Sequence, residues 1–302
     1  MEKKMKKKKV SSYERIRARY GYVFISLWLV GFVVFFLIPF ITSVMYSFNR
    51  VKVEIGEVKL TPVVFDNYIG LFLENEEFLP AFTGTLGQVI TQTPLIIIFS
   101  LFIAIILNQK FRGRTIARTV FFLPVVIAGG VVMNIISGNQ FLNLAMSGDR
   151  GGMLFEASSV YDVLMNMGFN HTLSEYIANM VNSVFQLAWS SGIQILLFLS
   201  GLQSINPSLY EVAKIEGAGA WVSFWKITLP MIAPTILVNL IYTIIDNFIN
   251  YSNDMFKLIQ EVTGKIQFDT ASAMANVCFL VIALMIVIVY GLINRHIYYA
   301  VD

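Results

Sequence analysis

Long apolar runs separated by short polar segments make up most of this 302-residue chain. A helix needs about 20 mostly apolar residues to cross a bilayer. Six runs are candidates, of which the third is short and the fifth carries several polar groups; they are Tyr22–Phe48, Ala81–Leu107, Val120–Ile136, Met180–Leu202, Met231–Tyr251 and Ala271–Asn294. The pattern predicts an all-α membrane protein with six transmembrane helices. Residues 1–21 would form a basic tail and residues 22–302 the membrane domain.

The composition agrees with this pattern. The chain is 56% hydrophobic and 14% charged, whereas soluble domains carry about 25% charged residues. The first apolar run is longer than the region of about 7–15 residues found in signal peptides, so we expect it to remain as a membrane span in contact with lipid. A single cysteine, Cys278, lies inside an apolar run and forms no intramolecular disulfide.

The positions of Lys and Arg predict the orientation, because cytoplasmic loops carry an excess of both. Most of the 22 basic residues precede the first run or follow the second, fourth and sixth runs; they are Lys3, Lys4, Lys6, Lys7, Lys8, Lys9, Arg15, Arg17, Arg19, Lys110, Arg112, Arg114, Arg118, Lys214, Lys226 and Arg295. Both termini are therefore expected in the cytoplasm. The lysines cluster beside a membrane span, which argues against nucleic-acid binding.

Two segments on the opposite side of the membrane are long, at about Asn49–Pro80 and Ser137–Asn179. Acidic residues such as Glu74, Glu76 and Glu77 outnumber the basic ones on that side. We expect short surface helices and loops in both segments and no separate soluble domain.

The loop at residues 203–230, between the fourth and fifth runs, has an unusual pattern for such an apolar chain. It reads Glu211-Val-Ala, three residues, Gly217, nine residues, and Ile227-Thr-Leu-Pro230. Asn206-Pro207 is typical of a helix start, and Gly217 and Gly219 are suited to ending that helix. A second short helix would follow, and Leu229-Pro230 would break the chain before the fifth run. The alternative is an ordinary helical hairpin between spans.

This loop resembles the cytoplasmic signature of permease subunits of carbohydrate-importing ABC transporters, the group that contains the maltose and glycerol-phosphate permeases. Segments Phe65–Tyr68, Arg118–Pro124 and Gly201–Pro234 carry the resemblance, which extends over nearly the whole chain. Val212 stands where the group usually has Ala, and Glu216 where it usually has Asp. The resemblance implies the type I ABC importer permease fold with a cytoplasmic coupling helix, in a multi-pass protein of a bacterial cell membrane.

By that resemblance, the helix around Glu211–Gly219 is a coupling helix that docks on a separate ATPase subunit. The implied coupling residues are Glu211, Ala213, Lys214, Glu216, Gly217, Ala218, Gly219, Leu229 and Pro230. The implied partners are a second, different permease, two ATPase subunits that hold ATP and Mg²⁺, and an extracellular binding protein. This chain would hold no cofactor and perform no catalysis, since its only Gly-Lys pair, Gly264-Lys265, is followed by Ile rather than Ser or Thr.

Polar residues inside the apolar runs suggest a path for cargo, because such groups avoid lipid. The candidate residues are Asn239, Tyr242, Asp246 and Asn250 in the fifth run, Gln186, Trp189 and Gln194 in the fourth, and Gln92 in the second. Amides, hydroxyls and aromatic rings suit a sugar, most simply an oligosaccharide. The alternative is that these groups hydrogen-bond between the two permeases.

Three other functions remain to be weighed. The same permease role with glycerol phosphate as cargo would call for Arg or Lys in the path, and the runs hold almost none. An ion-coupled secondary transporter commonly needs buried ionisable groups, and Asp246 is the one clear example. A membrane enzyme or metal site would need clustered His, Cys or carboxylates, but His171 and His296 are far apart.

Overall fold

A computed structural model describes residues 12–54, 57–109, 111–128, 157–250 and 253–294. The helices are α1 (Ser12–Phe32), α2 (Ile38–Ser47), α3 (Asp66–Leu73), α4 (Phe78–Asn108), α5 (Arg114–Ala128), α6 (Ala157–Asn166), α7 (His171–Ser190), α8 (Gly192–Ser204), α9 (Pro207–Ile215), α10 (Ala220–Ser223), α11 (Leu229–Met231), α12 (Ala233–Ile249), α13 (Asp254–Gly264) and α14 (Phe268–Asn294). Two π-helical segments, Val33–Leu37 and Phe224–Thr228, join α1 to α2 and α10 to α11.

Three helical stretches in the described residues are long and apolar enough to cross a membrane: Tyr20–Ser47, Phe78–Asn108 and Phe268–Ile293. A fourth candidate is the pair Ala220–Met231 and Ala233–Ile249, which is bent by 65°. These stretches correspond to the first, second, sixth and fifth apolar runs. Within the third run, α5 ends at Ala128, and residues 129–136 lie outside the described part of the chain.

The fourth apolar run is not one continuous helix, as the sequence had suggested. It is divided at Ser191 into α7 and α8, a shorter apolar helix of 13 residues. The Ser191 hydroxyl donates to the Ala188 carbonyl oxygen at 3.1 Å. Such a bond from a side chain to the backbone competes with regular helix geometry, and Gly192 follows directly.

Both π-helical segments precede a proline by two positions. In the first, the Ile38 amide donates to the Val33 carbonyl, and Pro39 follows. In the second, the Leu229 amide donates to the Phe224 carbonyl, and Pro230 follows. Proline has no amide hydrogen and its ring crowds the carbonyl four residues before it. A wider turn ahead of the proline therefore lets each helix continue.

A β-hairpin lies where we had expected only surface helices and loops. Strands β1 (Asn49–Glu54) and β2 (Glu57–Pro62) pair antiparallel, with Val51 opposite Leu60 and Val53 opposite Val58. Apolar and charged residues alternate in both strands, and this period of two is typical of a strand. The hairpin is a local addition to an otherwise helical chain.

The chain divides into two compact units. Unit 1 contains Met1–Phe82 and Asp254–Val281, and unit 2 contains Thr83–Asn253 and Ile282–Asp302. The core of unit 1 consists of Leu71, Phe78, Met255, Leu258, Val262, Ala271, Ala273, Met274 and Cys278. The hairpin is attached to this unit because Asp269 accepts a hydrogen bond from the Val51 amide at 3.2 Å and Asn67 donates to the Asn49 carbonyl at 3.0 Å.

Unit 2 has a separate core, formed by α4, α8, Ile205 within the 203–230 loop and Ile232 just after it. Its buried members are Ile97, Ala104, Leu107, Ile195, Phe198, Leu199, Leu202, Ile205 and Ile232. Arg118 of α5 donates to the Leu107 carbonyl at 2.9 Å and so caps the end of α4. This core is the base from which the candidate coupling loop projects.

Candidate coupling loop and polar face

The start of the coupling loop follows the sequence prediction. Pro207 is the first residue of α9, and the Asn206 side chain accepts a hydrogen bond from the Ser208 amide at 3.1 Å. An Asn cap satisfies an amide that has no partner within the helix, and proline suits a position where no amide hydrogen is needed. The helix therefore has a defined first turn.

The end of α9 is equally well defined. Gly217 has φ +79°, the left-handed conformation that glycine adopts without strain. The Ala218 amide donates to the Ala213 carbonyl at 2.8 Å and the Gly217 amide to the Lys214 carbonyl at 3.1 Å, which is a Schellman motif. We had expected Gly219 to help end this helix, but it does not. It instead precedes α10, with φ −71°.

The second arm of the loop runs from Ala220 to Met231 and then bends by 65° into α12. We had expected Leu229-Pro230 to break the chain, but Pro230 lies inside a helical turn and the bend comes at Ile232. The preceding π-helical segment accommodates the proline. Pro234 then occupies the first turn of α12, where proline is tolerated.

A side-chain contact joins the two arms of the loop. The hydroxyl oxygens of Tyr210 in α9 and Thr228 in the second arm lie 2.9 Å apart. Thr228 is buried, and the Tyr210 side chain packs against the core of unit 2. This contact was not predicted from the sequence, although Tyr210 and a Thr two residues before Pro230 are both present in the pattern.

The outward surface of the loop combines charge with large apolar side chains. Glu211, Lys214 and Glu216 are exposed, and so are Ile215, at 86% of its surface, and Trp221, at 71%. Ala213, Ala218, Leu229 and Pro230 are half-buried, whereas Gly217 and Gly219 are exposed. Contiguous exposed apolar residues among charged ones are typical of a protein-docking surface.

Two of the candidate path residues lie inside the contact between α8 and α12. Gln194 and Asn239 are both fully buried. Asn239 donates to the Gln194 backbone carbonyl at 3.3 Å, and the Gln194 amide donates to the Thr243 hydroxyl at 3.3 Å. Their side-chain carbonyl oxygens accept no hydrogen bond from the described residues. The burial favours a packing role for both residues within this chain. The alternative raised from the sequence was similar, but placed the hydrogen bonds between the two permeases.

The other path candidates are more accessible or lie outside the description. Tyr242 and Asp246 are half-buried on α12 and share a side-chain hydrogen bond, and Gln92 is half-buried on α4. Asn250 is exposed and follows the last residue of α12, so it does not lie on the helix that carries Asn239, Tyr242 and Asp246. The backbones of Gln186 and Trp189 belong to α7, but their side chains are not described.

A second set of buried polar residues joins α4 to α12 and to the residues after it. Asn247 donates to the Thr93 hydroxyl at 3.2 Å, Asn253 donates to the Asn247 carbonyl at 3.0 Å, and Thr85 donates to Asn253. This relay ties α12 and the residues after it to α4. Across the residues that the structure covers, no group of three or more His, Cys, Asp or Glu is arranged to hold a metal ion.

The long apolar helices, the bent coupling loop and the polar groups within α8 and α12 define a multi-pass membrane transport subunit. The chain belongs to the family of binding-protein-dependent transport system inner membrane components, whose sequence profile matches residues 67–299. The resemblance inferred from the loop is thereby confirmed. Members of this family are transport subunits rather than enzymes.

Relatives and solved structures agree with this assignment. The probable ABC transporter permease protein YesP of Bacillus subtilis is 30% identical over 92% of both chains. The arabinooligosaccharides transport system permease protein AraP of the same species is 32% identical over 75% of this chain and 68% of its own. A chain of a bacterial alginate ABC transporter, in complex with an alginate-pentasaccharide-bound periplasmic protein, matches 94% of this chain and 96% of its own with TM-score 0.64 and 22% identity. This likeness confirms the ABC importer permease fold.

Proposed function

We propose that this chain is one of two different permease subunits of an ABC importer that moves an oligosaccharide into a bacterial cytoplasm by alternating access. The coupling loop is the observation that carries the proposal. Its capped helix presents charged and apolar side chains outward, and its second arm leads through one bend into α12, which bears Tyr242 and Asp246. A push on a rigid loop of this kind would change the packing of membrane helices.

In this proposal the loop docks on one of two ATPase subunits, which hold ATP and Mg²⁺. Glu211, Lys214 and Glu216 would make the polar contacts, because all three are exposed on α9 or at its end. Gly217, Ala218 and Gly219 would shape the turn, and Ala213 would allow close approach. Leu229 and Pro230 would direct the second arm toward α12.

The cargo is proposed from the character of the membrane helices. Helices α4, α8, α12 and α14 contain no Lys or Arg, which disfavours a phosphate cargo such as glycerol phosphate. Tyr242, Asp246, Gln92 and Asn250 offer neutral or acceptor groups that match sugar hydroxyls. Gln186 and Trp189 remain candidates for the path, whereas the burial of Gln194 and Asn239 favours a packing role between α8 and α12. The name of the relative AraP refers to an oligosaccharide.

An extracellular binding protein would deliver the cargo. The β-hairpin, α3 and α13 belong to unit 1, which has its own core. If both termini are cytoplasmic, as the distribution of Lys and Arg predicts, these elements face the outside and offer a firm surface for such a protein.

Reconstitution tests the proposal. We expect the chain to co-purify with a second permease and an ATPase, and a binding protein loaded with one class of glycan to stimulate ATP hydrolysis. Glu211→Lys should abolish that stimulation, whereas Glu175→Lys, an equal charge change at an exposed site on α7, outside both the loop and unit 1, should not. Stimulation by no glycan would overturn the carbohydrate cargo, and failure to associate with any ATPase would overturn the importer role.

A further inference from the structure

The contact between the two arms of the coupling loop belongs to a small hydrogen-bond network. The Tyr210 and Thr228 hydroxyl oxygens lie 2.9 Å apart, and either hydroxyl can donate. The Thr228 hydroxyl is also 3.4 Å from the Ser223 carbonyl oxygen, to which it can donate. A threonine hydroxyl carries one proton and two acceptor sites, so Thr228 can accept from Tyr210 while it donates to Ser223.

This bond reaches the second arm close to its bend. Thr228 is the last residue of the second π-helical segment, and the chain turns into α12 at Ile232, four residues later. Ile232 is fully buried in the core of unit 2, against which the Tyr210 side chain also packs. Tyr210 thus links α9 to the base of α12 through its ring and through its hydroxyl.

The covalent route between the same two helices is less direct. It passes through Gly217, Ala218 and Gly219, and nothing lies within 4 Å of the position that a Cβ would occupy at either glycine. A displacement of α9 could be taken up by rotation at these glycines. A second contact between the two arms would pass a displacement of α9 directly to the base of α12.

The helices on both sides of the loop are also held to each other. A Cβ placed on Gly201 of α8 would lie 2.5 Å from the Thr235 hydroxyl oxygen of α12, so the two backbones pack without room for a side chain. The Gln194 amide donates to the Thr243 hydroxyl at 3.3 Å, about two turns away from Gly201 along α8 and from Thr235 along α12. Helices α8 and α12 therefore respond together to a push at the base of α12.

We propose that Tyr210 is a positioning residue whose hydrogen bond to Thr228 transmits the movement of α9 to α12. The inference rests on the proposed importer function and adds to it one specific contact, the hydrogen bond between Tyr210 and Thr228. Tyr210 would not contact the ATPase through its hydroxyl, since that group is turned toward Thr228. It would instead determine how much cargo is moved for each ATP hydrolysed.

Conservative variants of Tyr210 and Thr228 can test this inference. The measurements use the assembled transporter in proteoliposomes. Tyr210→Phe keeps the ring and Thr228→Val keeps the shape, but each removes the bond. We expect each to lower the ratio of cargo transported to ATP hydrolysed about fivefold, the effect of one net hydrogen bond. The double variant should be no worse than either single one. Thr228→Ser, which keeps the hydroxyl, should restore the ratio.

The matched control is Tyr176→Phe, which removes the same group from an exposed position on α7. An unchanged ratio in both Tyr210→Phe and Thr228→Val, in a complex whose wild type couples normally, would overturn the inference alone. So would a loss of transport that only follows a loss of assembly. A wild-type chain that binds no ATPase would instead overturn the proposed function, and the inference with it.

Discussion

At the scale of single residues, Gly201 shows how closely two helices of unit 2 pack. Its hypothetical Cβ meets three atoms of one side chain, the Thr235 Oγ1 at 2.5 Å, Cγ2 at 3.0 Å and Cβ at 3.1 Å. Real Cβ contacts are not this short, so a larger residue would have to displace α8 or α12. Small residues commonly allow such close approach between helices in membranes.

Gly201→Ala should therefore destabilise the folded chain by about 1–3 kcal/mol, the usual effect of overpacking. Thermal unfolding of the purified protein in detergent measures this. Gly84→Ala on α4 is the matched control, because nothing lies within 4 Å of its Cβ position, and we expect no loss there. Thr235→Ala removes two of the three crowded atoms and should recover much of the stability in the double variant. Equal stability of Gly201→Ala and wild type would contradict the packing argument.

The buried relay between α4 and α12 gives a second residue-scale prediction. Thr93→Val keeps the shape of the side chain but leaves the buried Asn247 amide without its acceptor, which costs about 1–3 kcal/mol. Thr91→Val is the control, because Thr91 is exposed and its hydroxyl donates to a carbonyl of its own helix at 2.8 Å. The midpoint of thermal unfolding should fall for Thr93→Val only; equal shifts for both variants would show that the relay adds no stability.

The sequence predicts residue types better than residue roles. It identified Gln194, Asn239, Tyr242 and Asp246 as polar groups that avoid lipid, and the structure places all four at buried or half-buried positions. It could not tell a side chain that faces a path from one that bonds a neighbouring helix of the same chain. That distinction depends on which helices are adjacent, and helical periodicity does not carry this information.

At the scale of elements, the two ends of α9 illustrate which local signals are strong. Asn206, Pro207 and Gly217 were recognised from the sequence, and the structure has them as cap, first residue and left-handed glycine. Each acts within its own turn of the chain, through a local side-chain cap or through its backbone conformation, so no knowledge of distant contacts was needed. The bend at Ile232 and the break at Ser191 were missed because they depend on how neighbouring turns bond.

Gly217 and Gly219 form a matched pair for testing the turn. Both have open space around the Cβ position, but only Gly217 has a positive φ. Gly217→Ala should lower the free energy of unfolding by about 1 kcal/mol, because an L-residue is strained in the left-handed region. Gly219→Ala should change it by less than about 0.5 kcal/mol, as is usual for surface substitutions. The difference between the two variants in detergent unfolding is the test, and equal effects would argue against the strained turn.

The hairpin and the π-helical segments show a different limit of sequence analysis. Alternation of Val51, Val53, Val58 and Leu60 with charged residues was present in the sequence, but the expectation of loops in that region overlooked it. The π-helical segments had no comparable signal beyond the prolines that follow them. A proline predicts a disturbed helix, yet whether the helix bends, breaks or widens is decided by the packing around it.

At the scale of the whole molecule, the apolar runs predicted the membrane class and most of the long helices. They did so because a bilayer requires every backbone group of a span to bond within its own segment. The division into two units was not foreseen, because it falls inside α4 and α14, where the sequence shows no change in composition. The division depends on contacts between residues that are distant in sequence. One example within unit 1 is the hydrogen bond from the Val51 amide to Asp269.

Orientation is the whole-molecule prediction that still needs a direct measurement. The bias of Lys and Arg predicts that the hairpin is outside and the coupling loop inside. Val58 in the hairpin is 51% exposed and Ile215 in the loop is 86% exposed, so a cysteine at either position is accessible to a reagent. Val58→Cys and Ile215→Cys are each introduced separately into a chain that also carries Cys278→Ala, a substitution that removes the native thiol.

A membrane-impermeant maleimide applied to intact cells that express this chain without an ATPase partner should label Val58→Cys and leave Ile215→Cys unlabelled. After the membrane is permeabilised, both should be labelled, which controls for accessibility in the folded chain. The reverse pattern would place the coupling loop outside the cell, where no ATP-driven partner could reach it. It would thereby remove the physical basis for a loop that couples ATP hydrolysis to transport.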